Sequence, residues 1–571
     1  MEERLEALRV RVDALAEGIR ELGPSRSVAL ALWALVVAIL GLHASAPVVL
    51  VSDMPMDIFV PLDAGWRSFH GQVPHIDFDT PVGRLYYDVY GLAMRLFGAD
   101  ARVILWVPAL LAPLVGASVV AAASGRLPPV VGTAVAIYAT IMAASPIHLD
   151  RDGLVHLASY NRIGWGLVTA VLIAAAIPRV TGGVRASILD GVLCTAVLLV
   201  LFYVKITYFA LGGAALLLAV AVVPGNRRWA LASGVATWGV VGLTFAISEV
   251  PWAYVDDIRG AAASFDPRWA QVSGSRAPGL DKLVADLIDN LWIVLLTFGG
   301  LVAFSRAAGG DPVLEAESNR VGLAGAGVLV VALIVGVQSH DHHNPALVVG
   351  AVVPIAAFVR RSIHGPRRQR DARLALALVA GLIAVLAPRV GRDGMGIVIH
   401  RMLASSGEGQ VTASDDPESP VSTLRFVAPS GLEGSKIRFV LEGRVEADVY
   451  RELVTAFDGA DLGVLLRDGA ARIREHGPKD ARTLTMLFAS PFPVVTGAPP
   501  PRGTLNWYHP SRTFGGDNPL VPEELLADVD VVLVPTTIGT VATAAMKESL
   551  DPWLEEHRRR VDTPLWTLWL R

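Results

Sequence analysis

Residues Asp53 to Arg84 read DMPMDIFVPLDAGWRSFHGQVPHIDFDTPVGR and follow directly on a long apolar run. They combine the carboxylates Asp53, Asp57, Asp63, Asp77 and Asp79 with three groups able to bind an anion, Arg67, His75 and Arg84. Pro61, Gly71, Pro74, Pro81 and Gly83 punctuate the stretch, which marks it as a loop. Any single Asp here is better explained as part of a solvated connector. Taken together, carboxylates beside cations suit a site that handles both a proton and a phosphate.

The surrounding chain has 571 residues, of which 53% are hydrophobic and 18% charged, with a mean hydropathy of +0.49. That is too apolar for a soluble protein and too long for one small domain, so a polytopic helical membrane protein is expected. The formal net charge of -4, with basic residues scattered or confined to short loops, gives no footprint for nucleic acid. Cys194 is the single cysteine, so neither an internal disulfide nor a cysteine metal site can form.

Apolar runs predict about eleven spans, each near the ~20 residues a bilayer needs. They lie at 28–51, 101–123, 129–145, 163–177, 187–203, 206–223, 229–248, 289–305, 320–338, 344–359 and 372–389. Arg126, Arg179, Arg185, Arg227, Arg228 and the cluster from Arg360 to Arg373 fall on one side of this count, which is therefore cytoplasmic. The Asp53–Arg84 loop and everything after Pro388 fall on the other. Leu85 to Phe97 fits an interfacial helix whose tyrosines suit the headgroup level.

Three regions follow: a cytoplasmic amphipathic helix in 1–25, a transmembrane unit in 26–390, and an extracytoplasmic α/β domain in 391–571. The first carries Leu5, Leu8, Val12, Leu15, Ile19 and Leu22 on one stripe. Coiled-coil self-association, docking of a cytoplasmic partner and simple packing on the span ends all remain open for it. Beyond Gly391, strand-like runs (Ile437–Leu441, Leu484–Phe488, Val529–Val534) alternate with helix-like ones (Ala447–Phe457, Ala470–Glu475, Ala544–His557).

Asp57, Ala64, Gly71, Pro74-His75-Ile76-Asp77-Phe78, Pro81 and Leu96-Phe97-Gly98 together resemble the first extracytoplasmic loop of GT-C glycosyltransferases, such as the protein O-mannosyltransferases and the lipid A aminoarabinose transferase. Many of those enzymes carry Asp-Glu at the start of the loop, whereas Ile58 follows Asp57 here. The resemblance implies an inverting hexosyl- or pentosyltransferase that moves a sugar from a polyprenyl-phosphate donor to a hydroxyl of a glycan, lipid or protein. A hydroxyl needs a carboxylate to take its proton; Asp57 is the expected base and Asp53 the reserve. The leaving phosphate needs fixed positive charge; Arg67, Arg84, Arg151, Arg162, Lys205 and His343 are the candidates. A second acidic loop is implied at Asp150 and Asp152.

Lys205 interrupts an apolar stretch, where it would either meet a phosphate or snorkel to the interface. His340, Asp341, His342 and His343 invite a metal, but side chains adjacent in a row cannot all converge on one ion. No metal or other cofactor is required. Trp507, Tyr508 and Asp517 suit the binding of an acceptor or glycan, though such aromatics also fill cores. Two further readings share much of this pattern: a flippase for a lipid-linked sugar, and a polysaccharide polymerase or ligase using a lipid diphosphate. High Ala, Gly, Val and Arg usage points to a bacterial inner membrane, with the N-terminus cytoplasmic and the C-terminal domain periplasmic or extracellular.

Overall fold

The computed structural model describes residues 26–52, 54–146, 154–156, 159–180, 183–272, 287–288, 290–308, 312–339, 345–364, 368–407, 409–427, 459–537 and 540–571. The amphipathic helix expected in 1–25, the strand Ile437–Leu441 and the helix Ala447–Phe457 lie outside these residues.

Among the described residues, six helices are long and apolar enough to cross a membrane: Val103–Ala123, Val184–Val204, Pro224–Ile247, Glu315–Leu333, Pro345–Ser362 and Gln369–Ser406. Four shorter apolar helices accompany them, at Leu32–Ala44, Pro129–Ala144, Ile206–Val222 and Leu291–Ala307. Large apolar side chains line their outer surface, among them Leu114 (61% exposed), Val184 (78%) and Val235 (74%). Water would not tolerate so continuous an apolar surface, whereas lipid is its natural solvent. The helix Ser159–Ala176 sits at the centre of the bundle, against Val103–Ala123, Ile206–Val222 and Pro345–His364. Every residue of it is buried except Tyr160.

Two boundaries differ from the sequence reading. The first helix, Arg26–Ala44, stops short, and Val49–Val51 is a strand, β1. A short Val-rich run carries the same hydropathy whether it ends a span or enters a sheet. The last long helix, Arg368–Ser406, runs straight through Pro388 and Gly391, so the compositional change there does not end it.

β1 pairs in parallel with β4 (Leu424–Val427), register Val49↔Leu424, and β4 pairs antiparallel with β3 (Gln410–Thr412). β2 (Phe78–Asp79), inside the first loop, pairs with β6 (Thr504–Leu505). A four-stranded sheet in the order β5-β7-β9-β8 completes the C-terminal part: Thr483–Thr485, Val531–Pro535, Trp566–Leu570 and Arg559–Asp562. The helices Gly459–His476 and Val541–His557 pack with it. The first loop and the C-terminal part thus form one continuous hydrogen-bonded body, with a shared apolar core.

Arg67 is the main polar strut of that body. It has no exposure, and its guanidinium donates to Asp63 (2.7 Å), Gln72 (3.3 Å), the Pro501 carbonyl (2.7 Å) and Thr504 (3.0 Å). Asn506 also donates to Asp63 (3.2 Å), and Trp66 donates to the Ala498 carbonyl (2.9 Å). The expectation that Arg67 holds the donor phosphate is therefore corrected. Four of its five N–H donors meet oxygens of the protein, and the side chain has no exposure through which a ligand could reach it.

The interfacial helix is Arg84–Phe97, closed by Gly98 at φ +95°. Its tyrosines do not lie at a membrane surface as expected. Tyr86, Tyr87 and Tyr90 are buried, with hydroxyls on Ser159 (2.7 Å), Thr80 (2.7 Å) and Ser159 (3.1 Å). Leu96 and Phe97 are the exposed residues instead. Just ahead of this helix, the Gly83 amide donates to the Val204 carbonyl (2.9 Å). A Cβ on Gly83 would come within 2.3 Å of the Tyr203 carbonyl oxygen, so only glycine allows this approach.

A second clamp comes from the helix Val250–Ala263. Asp257 meets His75 Nδ1 (2.7 Å) and accepts from the Thr80 amide (2.9 Å). The Tyr254 ring lies 4.6 Å from His75, and its hydroxyl accepts from the Ile206 amide (3.1 Å). Burial draws His75 down to about 4 and pushes Asp257 up to about 7.

Replacing Arg67 with Met should destabilise the protein by about 3–5 kcal/mol, because buried Asp63 loses its cation. Hydrogen exchange at Thr504 and Leu505 should accelerate as β2 and β6 part; unchanged exchange and stability would show the strut to be dispensable. The clamp gives a pH signature. Raised Asp257 contributes stability that is lost as pH climbs from its ordinary 3.8 through about 7. Lowered His75 contributes the opposite, stability gained as pH climbs from about 4 through its ordinary 6.5. Asp79, pushed up to about 6 by burial and by Asp257, adds to the loss, so thermal stability of the parent should fall across that window. In Asp257→Asn the fall should shrink, because the Asp257 contribution is gone and His75 still opposes Asp79; an unchanged slope there would refute the account.

Candidate active site

The site forms where the first loop, the start of Ser159–Ala176, the turn at Lys205 and the C-terminal part meet. Lys205 leaves helical geometry (φ -164°, ψ 122°) between Val184–Val204 and Ile206–Val222. Both flanking residues are fixed, Val204 by the Gly83 amide and Ile206 by the Tyr254 hydroxyl. The Lys205 ammonium donates to Asn161 (2.8 Å) and lies 5.0 Å from the Tyr160 ring centre and 5.7 Å from that of Tyr208. An ammonium over aromatic faces keeps its charge while shedding part of its water.

Asp57 is 7% exposed, in the turn that leads into the helix Phe59–Phe69. Coupled to it electrostatically is Arg512, in a turn of the C-terminal part whose Ser511 takes φ +72°. Burial draws the Arg512 guanidinium down from its usual range, while the Tyr160 phenol and the Asp57 carboxylate push it back. Tyr160 therefore bears on both cations, with Lys205 over its ring and its phenol acting electrostatically on Arg512. Beside Arg512, burial lowers His509 to about 4, which keeps it neutral at pH 7. A buried carboxylate in the field of a guanidinium can accept a proton, and fixed cations of this kind can meet an anion.

The other expected residues fall in different places. Arg84 is 40% exposed and pairs with Asp88 at 2.6 Å, at the open edge of the loop. Arg162 lines a separate small cavity with His43 and His156, and Asp57, Lys205 and Arg512 do not line it. Tyr508 is completely buried in the C-terminal core near Phe514, so its ring cannot stack on a sugar, a correction to the acceptor reading. Trp507 is half-buried against Phe488 and His509. Asp517 is exposed, and its amide donates to the Ala263 carbonyl (3.0 Å). Asp53, Asp150, Arg151, Asp152 and His343 lie outside the described residues.

Sequence reasoning gave no role to Arg512, Asn161, Tyr160, Tyr254 or Asp257. Tyr160-Asn161 and Arg512 lie in polar runs of the sequence, and a cation or aromatic there was the available signal. Asp257 carried none, because its partners are remote in the chain.

No family model matches the chain, and no curated protein matches it. Among solved structures it is similar to ArnT from Cupriavidus metallidurans bound to undecaprenyl phosphate, at 14% identity and a TM-score of 0.46, over 95% of this chain and 98% of that one. It is also similar to the archaeal oligosaccharyltransferase AglB from Archaeoglobus fulgidus, in complex with an inhibitory peptide and a dolichol-phosphate. There the identity is 10% and the TM-score 0.38, over 92% and 72% of the two chains. A complex of the Archaeoglobus fulgidus oligosaccharyltransferase with Zn and sulfate gives 10% identity and a TM-score of 0.33, over 87% of this chain and 67% of that one.

Proposed function

We propose that this chain is a GT-C-type membrane glycosyltransferase that moves a sugar from a polyprenyl-phosphate donor to an acceptor hydroxyl on the outer face of a bacterial cytoplasmic membrane. The reading is carried by Tyr160, whose ring lies 5.0 Å from the Lys205 ammonium and whose phenol, with the Asp57 carboxylate, acts on Arg512. The resemblance of the first loop to that superfamily supports it.

Asp57 takes the acceptor proton as the hydroxyl oxygen bonds to the anomeric carbon. The bond from that carbon to the phosphate oxygen breaks in the same step, and the configuration inverts because attack and departure use opposite faces. Its electron pair leaves with the polyprenyl phosphate, whose growing negative charge is met by Lys205 and Arg512. Fixed cations suffice for a monophosphate leaving group. Asp53 is the alternative base, and Trp507 is the aromatic proposed to border the acceptor.

The test uses the full chain in lipid nanodiscs, with a panel of undecaprenyl-phosphate pentoses and hexoses as donors and free undecaprenyl phosphate as the product measured. Asp57→Asn should lower turnover by about 10²–10⁴-fold while binding of undecaprenyl phosphate persists. Lys205→Met and Arg512→Gln should each weaken that binding. Full turnover in Asp57→Asn with loss in Asp53→Asn would move the base to Asp53. Unchanged lipid binding in both cation variants would remove the phosphate assignment.

A further inference from the structure

The strongest feature outside this pocket is Arg162. It is 2% exposed, and its Nε and Nη2 meet no acceptor. No carboxylate of the described residues lies within 4.0 Å of its nitrogens. A buried guanidinium without a counter-charge is among the least tolerable arrangements in a fold, since it forfeits hydration and gains nothing in return.

Arg162 borders a cavity of about 10 Å³ that it shares with His43, His156, Ser145 and Ser159, with Ile104 on its apolar side. Such a space admits a single small particle. The histidines bring donors and no negative charge. Burial and the neighbouring His400 and His43 hold His156 well below its ordinary range. His400 accepts from the Leu50 amide through Nε2 (3.1 Å), so its proton is on Nδ1, and that atom is buried without a partner. The nearby carboxylate is Asp393, completely buried, which accepts from Ser145 (3.3 Å). Ser159 is occupied by the Tyr86 and Tyr90 hydroxyls.

We propose that this cavity is a binding site for one monatomic anion, chloride or bromide, held by Arg162. A single water could accept from the guanidinium but could not neutralise it. Neither Lys205 nor Arg512 lines it, so the site is distinct from the one assigned to the lipid phosphate. The bound anion would lock the start of Ser159–Ala176 against the end of Arg26–Ala44, the two elements joined across the cavity by Arg162 and His43. It does not depend on the reaction proposed above.

The experiment measures the full chain in detergent micelles at constant ionic strength as sodium gluconate is exchanged for sodium chloride or bromide. A saturable rise in Tm is expected with either halide, together with equilibrium binding of one radioactive chloride per chain and loss of both effects in Arg162→Gln. Chloride binding to the parent protein keeps the test decisive even if that variant does not fold. Equal Tm in gluconate and chloride with no bound chloride would overturn the proposal, as would a halide effect that persists in a folded Arg162→Gln. Displacement of the chloride by undecaprenyl phosphate would also overturn it, because the cavity would then belong to the carrier's phosphate.

Discussion

A guanidinium with no exposure must find oxygen for its donors, and Arg67 finds its partners in two parts of the chain separated by more than four hundred residues. Asp63 and Gln72 come from its own loop, while Pro501 and Thr504 come from the C-terminal part. Neither half could bury this residue alone. The pairing of β2 with β6 and the reach of Asn506 to Asp63 follow from the same contact. Arg512 lies a few residues beyond, so the strut that closes the two halves also brings a cation toward Asp57.

Lys205 depends on the same economy of local support. A turn between two spans would ordinarily leave its backbone to water, yet the neighbours of Lys205 are held by Gly83 and Tyr254. The loop that carries Asp57 and the helix that carries Asp257 therefore set where the ammonium stands. Such support matters because electrostatic stabilisation depends on charges being fixed before the reaction begins. A snorkelling lysine would be free to follow solvent; this one is tethered to Asn161 and two aromatic faces.

Much of this could be read from local pattern. An acidic, Pro- and Gly-marked loop after an apolar run located Asp57, a lone lysine in an apolar stretch located the turn, and Leu96-Phe97-Gly98 located the end of the interfacial helix. What escaped was whatever depends on a distant partner. Val49–Val51 is indistinguishable from the end of a span until β4 is beside it. Tyr86, Tyr87 and Tyr90 fit a headgroup belt by composition, and only Ser159 and Thr80 show that they point inward. Arg67 and Arg162 look alike in sequence, each an Arg in a short polar run.

The contrast between those two arginines bears on how the fold divides its charges. Both are nearly inaccessible, but Arg67 is matched to a carboxylate and to three further oxygens of the chain, whereas Arg162 faces a space. A charge answered by the chain is structural, because moving it would break the fold. A charge answered by a space implies an occupant supplied from solution. Lys205 and Arg512 fall between these extremes, both half-buried, the first held by Asn161 over the Tyr160 ring and the second in the field of the Tyr160 phenol and the Asp57 carboxylate. Under the proposed reaction that intermediate condition is what the leaving phosphate requires, since a cation already saturated by the protein has nothing to give to it, and one open to water would be screened before it arrived.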